Sequence, residues 1–121
     1  MNLSYRAVRA QGWKWIAGMK AVGRRGNPTA WFRLEEDLDR LHGDWSEAHP
    51  DLDDPATVGC ILSLVRKIWG PHASTLANGF EGPDGVWTLH CGHIESYLYG
   101  HEVASGRTEV EVLIKGLEIQ P

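Results

Sequence analysis

One segment in the middle of the chain carries both a start and a stop signal for an α-helix. Asp54 can accept a backbone N–H at the helix start, and Pro55 takes the first helical position, where its missing N–H costs nothing. Gly70 and Pro71 end the helix. Apolar residues recur between these signals at helical spacing, namely Val58, Ile61, Leu62, Val65 and Trp69. The pattern predicts an amphipathic helix over residues 55–69.

The chain before this helix alternates with the period of β-strands. Alternation over residues 13–22 and again over 29–35, on either side of a turn rich in Gly at 23–28, predicts a β-hairpin. In it, Trp13, Trp15 and Met19 face the core, whereas Lys14, Lys20, Trp31 and Arg33 face outward. Residues 36–53 are predicted to form an acidic loop, in which 36–42 leave room for one helical turn.

The chain after the helix predicts three strands and a last helix. The strands are expected at residues 74–77, 86–91 and 95–103. Thr108 and Glu111 form a capping box that starts a helix burying Val110, Leu113, Ile114 and Leu117. With a short N-terminal helix at 2–11, the element order is α-β-β-α-β-β-β-α. This order predicts an α+β fold, an antiparallel sheet with helices packed on one face, in a single domain 1–121.

Hydropathy and cysteine content point to a cytoplasmic protein. No run approaches 18 apolar residues, so no membrane span is expected. The N-terminus lacks the apolar core and cleavage site of a secretion signal. Cys60 and Cys91 are the only cysteines, and apolar neighbours favour free, buried thiols.

Charge is strongly segregated along the chain, although the net charge is only −4. The first 34 residues carry seven Lys and Arg and no carboxylate, and the next twenty carry nine carboxylates and one Arg. Such asymmetry indicates charged partners on two different faces. The candidate contacts on the hairpin are Lys14, Lys20, Arg24, Arg25, Trp31 and Arg33, and those in the acidic loop are Asp37, Asp39 and Asp44.

Each charged segment has two interpretations. Cations beside an exposed indole are the composition of a single-strand nucleic-acid binder, or the cations pair with neighbouring carboxylates on a solvated sheet face. The acidic loop either attracts a basic protein partner or is solvated and serves the following helix start. A homodimer is compatible with the six Trp.

Catalytic and metal-binding patterns are weak. The sequence has no Gly-x-Ser-x-Gly elbow, phosphate loop or His-Glu-x-x-His, which favours a protein that is not an enzyme. His90, Cys91, His93 and His101 are zinc-type donors, but His90 and Cys91 point to opposite faces of a strand. No second closely spaced pair completes four ligands. The sequence therefore predicts no metal and no other cofactor.

Two segments carry a resemblance to a known group. The helix reads Asp-Pro-Ala-Thr-x-Gly-Cys-x-Leu-x-Leu-Val-Arg-x-x-Trp-Gly from Asp54, and a Trp-bearing strand and Thr108–Ile114 follow. This resembles small uncharacterised proteins encoded by bacteriophages and prophages, over residues 51–119. The resemblance implies a bacterial host cytoplasm and an accessory role. It supplies no catalytic or binding residue.

Two functions from different classes follow as hypotheses. The first is a non-enzymatic phage-type protein that binds a host or phage protein, an inhibitor of a defence system in the manner of anti-CRISPR proteins. The acidic loop or the Trp31 region would be its contact surface, since aromatic and Arg side chains are the usual anchors of interfaces. The alternative is a small nucleic-acid-binding module that uses the basic hairpin.

Overall fold

The computed structural model describes residues 2–78, 86–91 and 101–119, and within them it has three α-helices, six β-strands and one 3₁₀-helix. The α+β class and the predicted order of the main elements are confirmed. In chain order, the elements are α1 (Leu3–Arg9), β1 (Lys20–Arg24), β2 (Asn27–Arg33), the 3₁₀-helix (Gly43–Trp45), β3 (His49–Pro50), α2 (Pro55–Trp69), β4 (Ser74–Asn78), β5 (Val86–Cys91), β6 (His101–Gly106) and α3 (Glu109–Glu118).

The strands form two antiparallel sheets of three strands each. The N-terminal sheet has the order β2-β1-β3, and the second sheet has the order β4-β5-β6. Strand β3 lies in the segment predicted as loop, and it pairs with β1 through Ala21 opposite Pro50 and Val22 opposite His49. Residues 36–42, which left room for one helical turn, form no helix, and the short helix lies at Gly43–Trp45 instead.

The hairpin exists, but its first strand is shorter than predicted. Strand β1 begins at Lys20 rather than at residue 13, because Gly18 has a φ of +100° that interrupts an extended chain. Trp15 makes only an isolated bridge, to Leu38. Pro28, predicted in the turn, lies inside β2. It is tolerated there because β2 is the edge of its sheet and the register shifts opposite Gly23.

Helix α3 lies at the centre of the core. It packs against α1, α2 and the strands of the second sheet. Gly116 permits the close approach, since a Cβ there would lie 2.6 Å from Cδ2 of Leu89. Trp69 fixes α2 to the same point by donating from Nε1 to the Gly116 carbonyl at 2.9 Å. The fully buried helical residues include Ile61, Val65, Val112, Leu113, Ile114 and Leu117.

The apolar faces predicted for α2 and α3 are buried, with small differences in which residues face the core. Ile61 and Val65 of α2 are fully buried, and the rest of its predicted stripe is partly buried. In α3, Val112 is buried where the sequence favoured Val110. The described part of strand 95–103 begins at His101 and runs on to Gly106, so most of that prediction lies outside the described residues.

The capping box at α3 gives a prediction of modest size. Thr108 Oγ1 accepts from the Glu111 N–H at 3.1 Å, and Glu111 Oε2 accepts from the Arg107 N–H at 3.0 Å. This second bond lowers the pKa of Glu111. Thr108→Ala should lower the free energy of unfolding by about 1 kcal/mol, measured by urea denaturation, because it removes the cap. Thr108→Ser retains the oxygen and should lose little. Equal losses in both variants would contradict a capping role.

Candidate functional site

The basic and acidic segments of the sequence pair with each other in space. Arg24 lies 3.3 Å from Asp44, and Lys20 lies 3.1 Å from Asp51. Both pairs join a cation of the hairpin to a carboxylate of the acidic segment, and both are at least partly exposed. The charge segregation seen along the chain is therefore reduced on the surface. For these residues, the cations pair with carboxylates on a solvated face, which is the second of the two interpretations of the basic segment.

A third pair is part of a hydrogen-bond network. Arg33 donates to both carboxylate oxygens of Asp54, at 2.7 and 3.2 Å, and to the Gly18 carbonyl at 2.9 Å. Asp54 also caps α2, since it accepts from the Thr57 N–H and hydroxyl at 3.0 and 2.8 Å. Thr57 is fully buried and accepts in turn from the Lys20 N–H at 2.9 Å. The network ties β1, β2 and α2 together.

This network controls the ionisation of Asp54. The pKa of the Asp54 carboxyl lies far below its ordinary value. The hydrogen bond from Arg33 is the largest cause of this lowering, and the hydrogen bond from the Thr57 hydroxyl comes next. Asp54 is therefore a carboxylate across the physiological range. It has its hydrogen-bonding capacity committed within the fold, which makes it a structural group rather than a candidate contact.

The outer face of the N-terminal sheet carries a row of aromatic and apolar side chains. Val22 lies directly across from Trp31 of β2 on one side and from His49 of β3 on the other. Directly opposed residues share a face of an antiparallel sheet. The His49 ring contacts the Tyr5 ring of α1, with 5.5 Å between ring centroids. We call these four residues, Trp31, Val22, His49 and Tyr5, the aromatic row.

The two ends of the aromatic row are open to solvent. Trp31 is 56% exposed and Tyr5 is 42% exposed. Beside the row, Arg33, Lys20 and Asp51 form a second line on the same face. Lys20 Nζ also lies 4.6 Å from the centre of the Trp31 ring, within cation–π range. An exposed indole is therefore bordered by charges that are already paired.

A cleft of about 700 Å³ opens next to the row, between α1 and the loop over residues 39–48. Its walls include Arg9, Asp39, Arg40 and Glu47, so that both signs of charge line it. Trp13 and Trp15 lie beneath, packed edge to face at 5.2 Å. Tyr5 belongs both to this cleft and to the aromatic row. The volume of the cleft falls within the range of ligand pockets.

The other predicted contacts are dispersed. Asp37 accepts from the Ala17 N–H at 2.9 Å and so supports the turn before β1. Lys14 and Arg25 are exposed, and neither forms an ion pair with a carboxylate of residues 2–78, 86–91 or 101–119. The structure thus brings together Lys20, Trp31 and Arg33, places Asp39 in the cleft, and places Arg24, Arg25 and Asp44 at the hairpin tip. Lys14 lies apart from these groups.

The zinc-type donors do not come together into a metal site in the described ranges. No group of three or more His, Cys, Asp or Glu there could hold a metal ion. His90 Nε2 lies 2.7 Å from the Thr88 hydroxyl, and Cys91 is opposite His101 in the β5–β6 register. His93 lies outside the described residues. Burial raises the pKa of the Cys60 thiol, which is the opposite of what a reactive cysteine needs.

Sequence analysis did not identify three members of the aromatic row as candidate contacts. Val22, His49 and Tyr5 become neighbours of Trp31 only through β3, a two-residue strand inside an acidic segment. Two residues are too few to show an alternation. The contact between Tyr5 and His49 also joins positions far apart in the chain.

Comparison with known proteins adds no relative, because no family model, curated protein or solved structure matches this chain. None of the helices in the described ranges is long and apolar enough to cross a membrane.

Proposed function

We propose that this chain is a non-enzymatic accessory protein that binds a host or phage protein through the aromatic row. The observation that carries the proposal is the exposed indole of Trp31, bordered by Lys20, Arg33 and their paired carboxylates. Trp is enriched among the residues that dominate binding energy, and such residues lie inside a polar rim. The resemblance of residues 51–119 to phage-encoded proteins supports a bacterial host cytoplasm and an accessory role. Inhibition of a defence component is proposed by analogy with other phage proteins of this size.

The paired charges favour a protein partner over a nucleic acid. Phosphate binding needs cations that are free to replace counterions. Lys20, Arg24 and Arg33 each already have a carboxylate within 3.3 Å. A face with little net charge and one large exposed ring matches the anatomy of a protein interface better.

Site-specific cross-linking tests the proposal. A photoreactive phenylalanine analogue placed at position 31 should capture a defined host protein from lysate. The same analogue at position 76, an exposed leucine of β4, is the matched control, because Leu76 is 39% exposed on the other sheet. Capture of the same proteins from both positions, or of none from position 31, would remove the proposal. Capture of a second copy of this chain would identify a homodimer instead.

Nucleic-acid binding is the second candidate, and one observation favours it. Lys14 and Arg25 remain exposed without a carboxylate partner in the described ranges, and Arg25 lies at the tip of the ribbon that carries Trp31.

We expect only weak oligonucleotide binding. A plot of the logarithm of the association constant against the logarithm of the salt concentration should fall with a slope of about two or less, because a protein releases about one counterion for each phosphate it neutralises and this mode of binding uses two cations, Lys14 and Arg25. Gel-shift titrations of single-stranded and duplex DNA at several salt concentrations measure that slope. A steep slope, together with loss of oligonucleotide binding in the double variant Arg24→Glu and Arg25→Glu, would favour nucleic-acid binding over the protein-binding proposal.

A further inference from the structure

The aromatic row has the length of a short extended peptide. Trp31 and His49 are two strands apart, at about 4.8 Å per strand, and the centroid of the Tyr5 ring lies 5.5 Å from that of the His49 ring. The row therefore spans up to about 15 Å from Trp31 to Tyr5. Its exposed rings, Trp31 and Tyr5, lie at the ends, with Val22 and His49 between them. A polyproline II helix rises about 3.1 Å per residue, so about five residues would cover the row.

The exposed rings of this face carry hydrogen-bond donors, and the carboxylates beside them are already paired. Trp31 Nε1 and the Tyr5 hydroxyl are carried by exposed rings, whereas Lys20 and Arg33 donate to Asp51 and Asp54. A proline-rich segment offers carbonyl acceptors and almost no backbone N–H, because proline has none and a polyproline II helix has no internal hydrogen bonds. In the ion pairs Lys20–Asp51 and Arg33–Asp54 each cation is balanced by a carboxylate, so that the two pairs carry no net charge, which suits an uncharged ligand.

Two other modes of peptide binding fit less well. Strand addition at the β2 edge would meet Pro28 and the register shift opposite Gly23, which leave only a short regular stretch for a ladder. A docked helix needs a groove for apolar anchors three and four residues apart. The aromatic row is a single line of side chains, bordered on one side by the charged line of Arg33, Lys20 and Asp51.

We infer that the aromatic row binds an extended proline-rich segment of the partner protein, with proline rings packed on Trp31 and Tyr5 and peptide carbonyls accepting from the exposed donors. Aromatic-lined faces bind such segments because a preformed polyproline II helix loses little entropy on binding. The inference rests on the proposed function, since it names the class of partner for the same surface.

The test is a titration of the full chain with labelled peptides. Fluorescence anisotropy should show saturable binding of a peptide of about ten prolines and none of a Gly-Ser peptide of equal length. Trp31→Ala and Tyr5→Ala should each weaken proline binding at least about tenfold, and Trp31→Phe should retain part of it. Leu76→Ala is the matched control and should leave the affinity unchanged. Circular dichroism confirms that each variant is folded.

The outcomes separate this inference from the proposed function. Absence of saturable proline binding at about 1 mM peptide, or equal binding of the Gly-Ser peptide, would overturn the inference. So would equal losses in Trp31→Ala and Leu76→Ala. If the cross-linker at position 31 still captures a defined protein in those cases, the proposed function stands without the proline-rich ligand. If position 31 captures nothing specific, the proposed function fails whatever the peptides do.

Discussion

Replacing Trp31 with alanine is expected to weaken binding of the captured partner at least about 30-fold, which corresponds to about 2 kcal/mol. The indole is 56% exposed in the free chain, so its removal opens no cavity in the core. The free energy of unfolding should change by less than about 1 kcal/mol, since the ring is more than half exposed and its neighbours Lys20 and Val22 lie on the same outer face of the sheet. Calorimetric titration and urea denaturation of the same preparation measure the two quantities.

The control for Trp31→Ala is Leu76→Ala, which removes an exposed apolar side chain from β4 in the other sheet. Its affinity should equal that of the wild type. If both variants bind as tightly as the wild type, Trp31 is not an anchor of the interface. If Trp31→Ala loses binding and also several kcal/mol of stability, the ring serves the fold.

Replacing Asp54 with alanine is expected to lower the free energy of unfolding by about 3 kcal/mol, because the change removes a helix cap and a charged hydrogen-bond acceptor together. The carboxylate holds Arg33, the Thr57 N–H and the Thr57 hydroxyl at once, and Thr57 is fully buried. Asp54→Asn keeps an acceptor for the cap and should lose less. Thermal and urea denaturation give both values.

Asp53→Ala is the matched control for Asp54→Ala. Asp53 is the exposed neighbour in sequence, and its carboxylate takes part in none of the ion pairs of the described residues. The change should alter the free energy of unfolding by no more than about 0.5 kcal/mol. Similar losses at positions 53 and 54 would show that the network around Asp54 contributes little.

The same carboxylate predicts a pH dependence. The pKa of Asp54 is lower in the folded chain than in the unfolded chain, so the folded state binds fewer protons there. The stabilisation is complete above the ordinary carboxyl pKa and is lost as the pH falls below about 4 toward the lowered value. The difference in stability between the wild type and Asp54→Asn should therefore shrink on acidification. A difference that stays constant from pH 7 to strongly acidic pH would contradict this role.

The sequence predicted the elements with strong local signals. Helix α2 begins at Pro55 after an Asp54 cap and ends at Trp69, as its start and stop residues indicated. Strand β5 has the predicted bounds. These features depend on neighbours within a few positions, and a single sequence displays such neighbours directly.

The candidate site could be predicted only in part, because it depends on contacts between distant residues. Alternation correctly placed Trp31 and Arg33 outward. It could not show that Arg33 pairs with Asp54, or that Lys20 pairs with Asp51. Nor could it show that the two-residue strand β3 places His49 beside Val22. Sequence separation hides such pairings, so charge counts along the chain overstated the charge on the surface.

Hydrogen exchange of the chain, free and bound to the captured partner, tests most directly whether the outer face of the N-terminal sheet is the contact surface. Slower exchange on binding is expected across Lys20–Arg24 and Asn27–Arg33, with α2 and β5 unchanged. Slower exchange confined to the second sheet and α2, with the strands that carry Trp31 and Val22 unaffected, would contradict it.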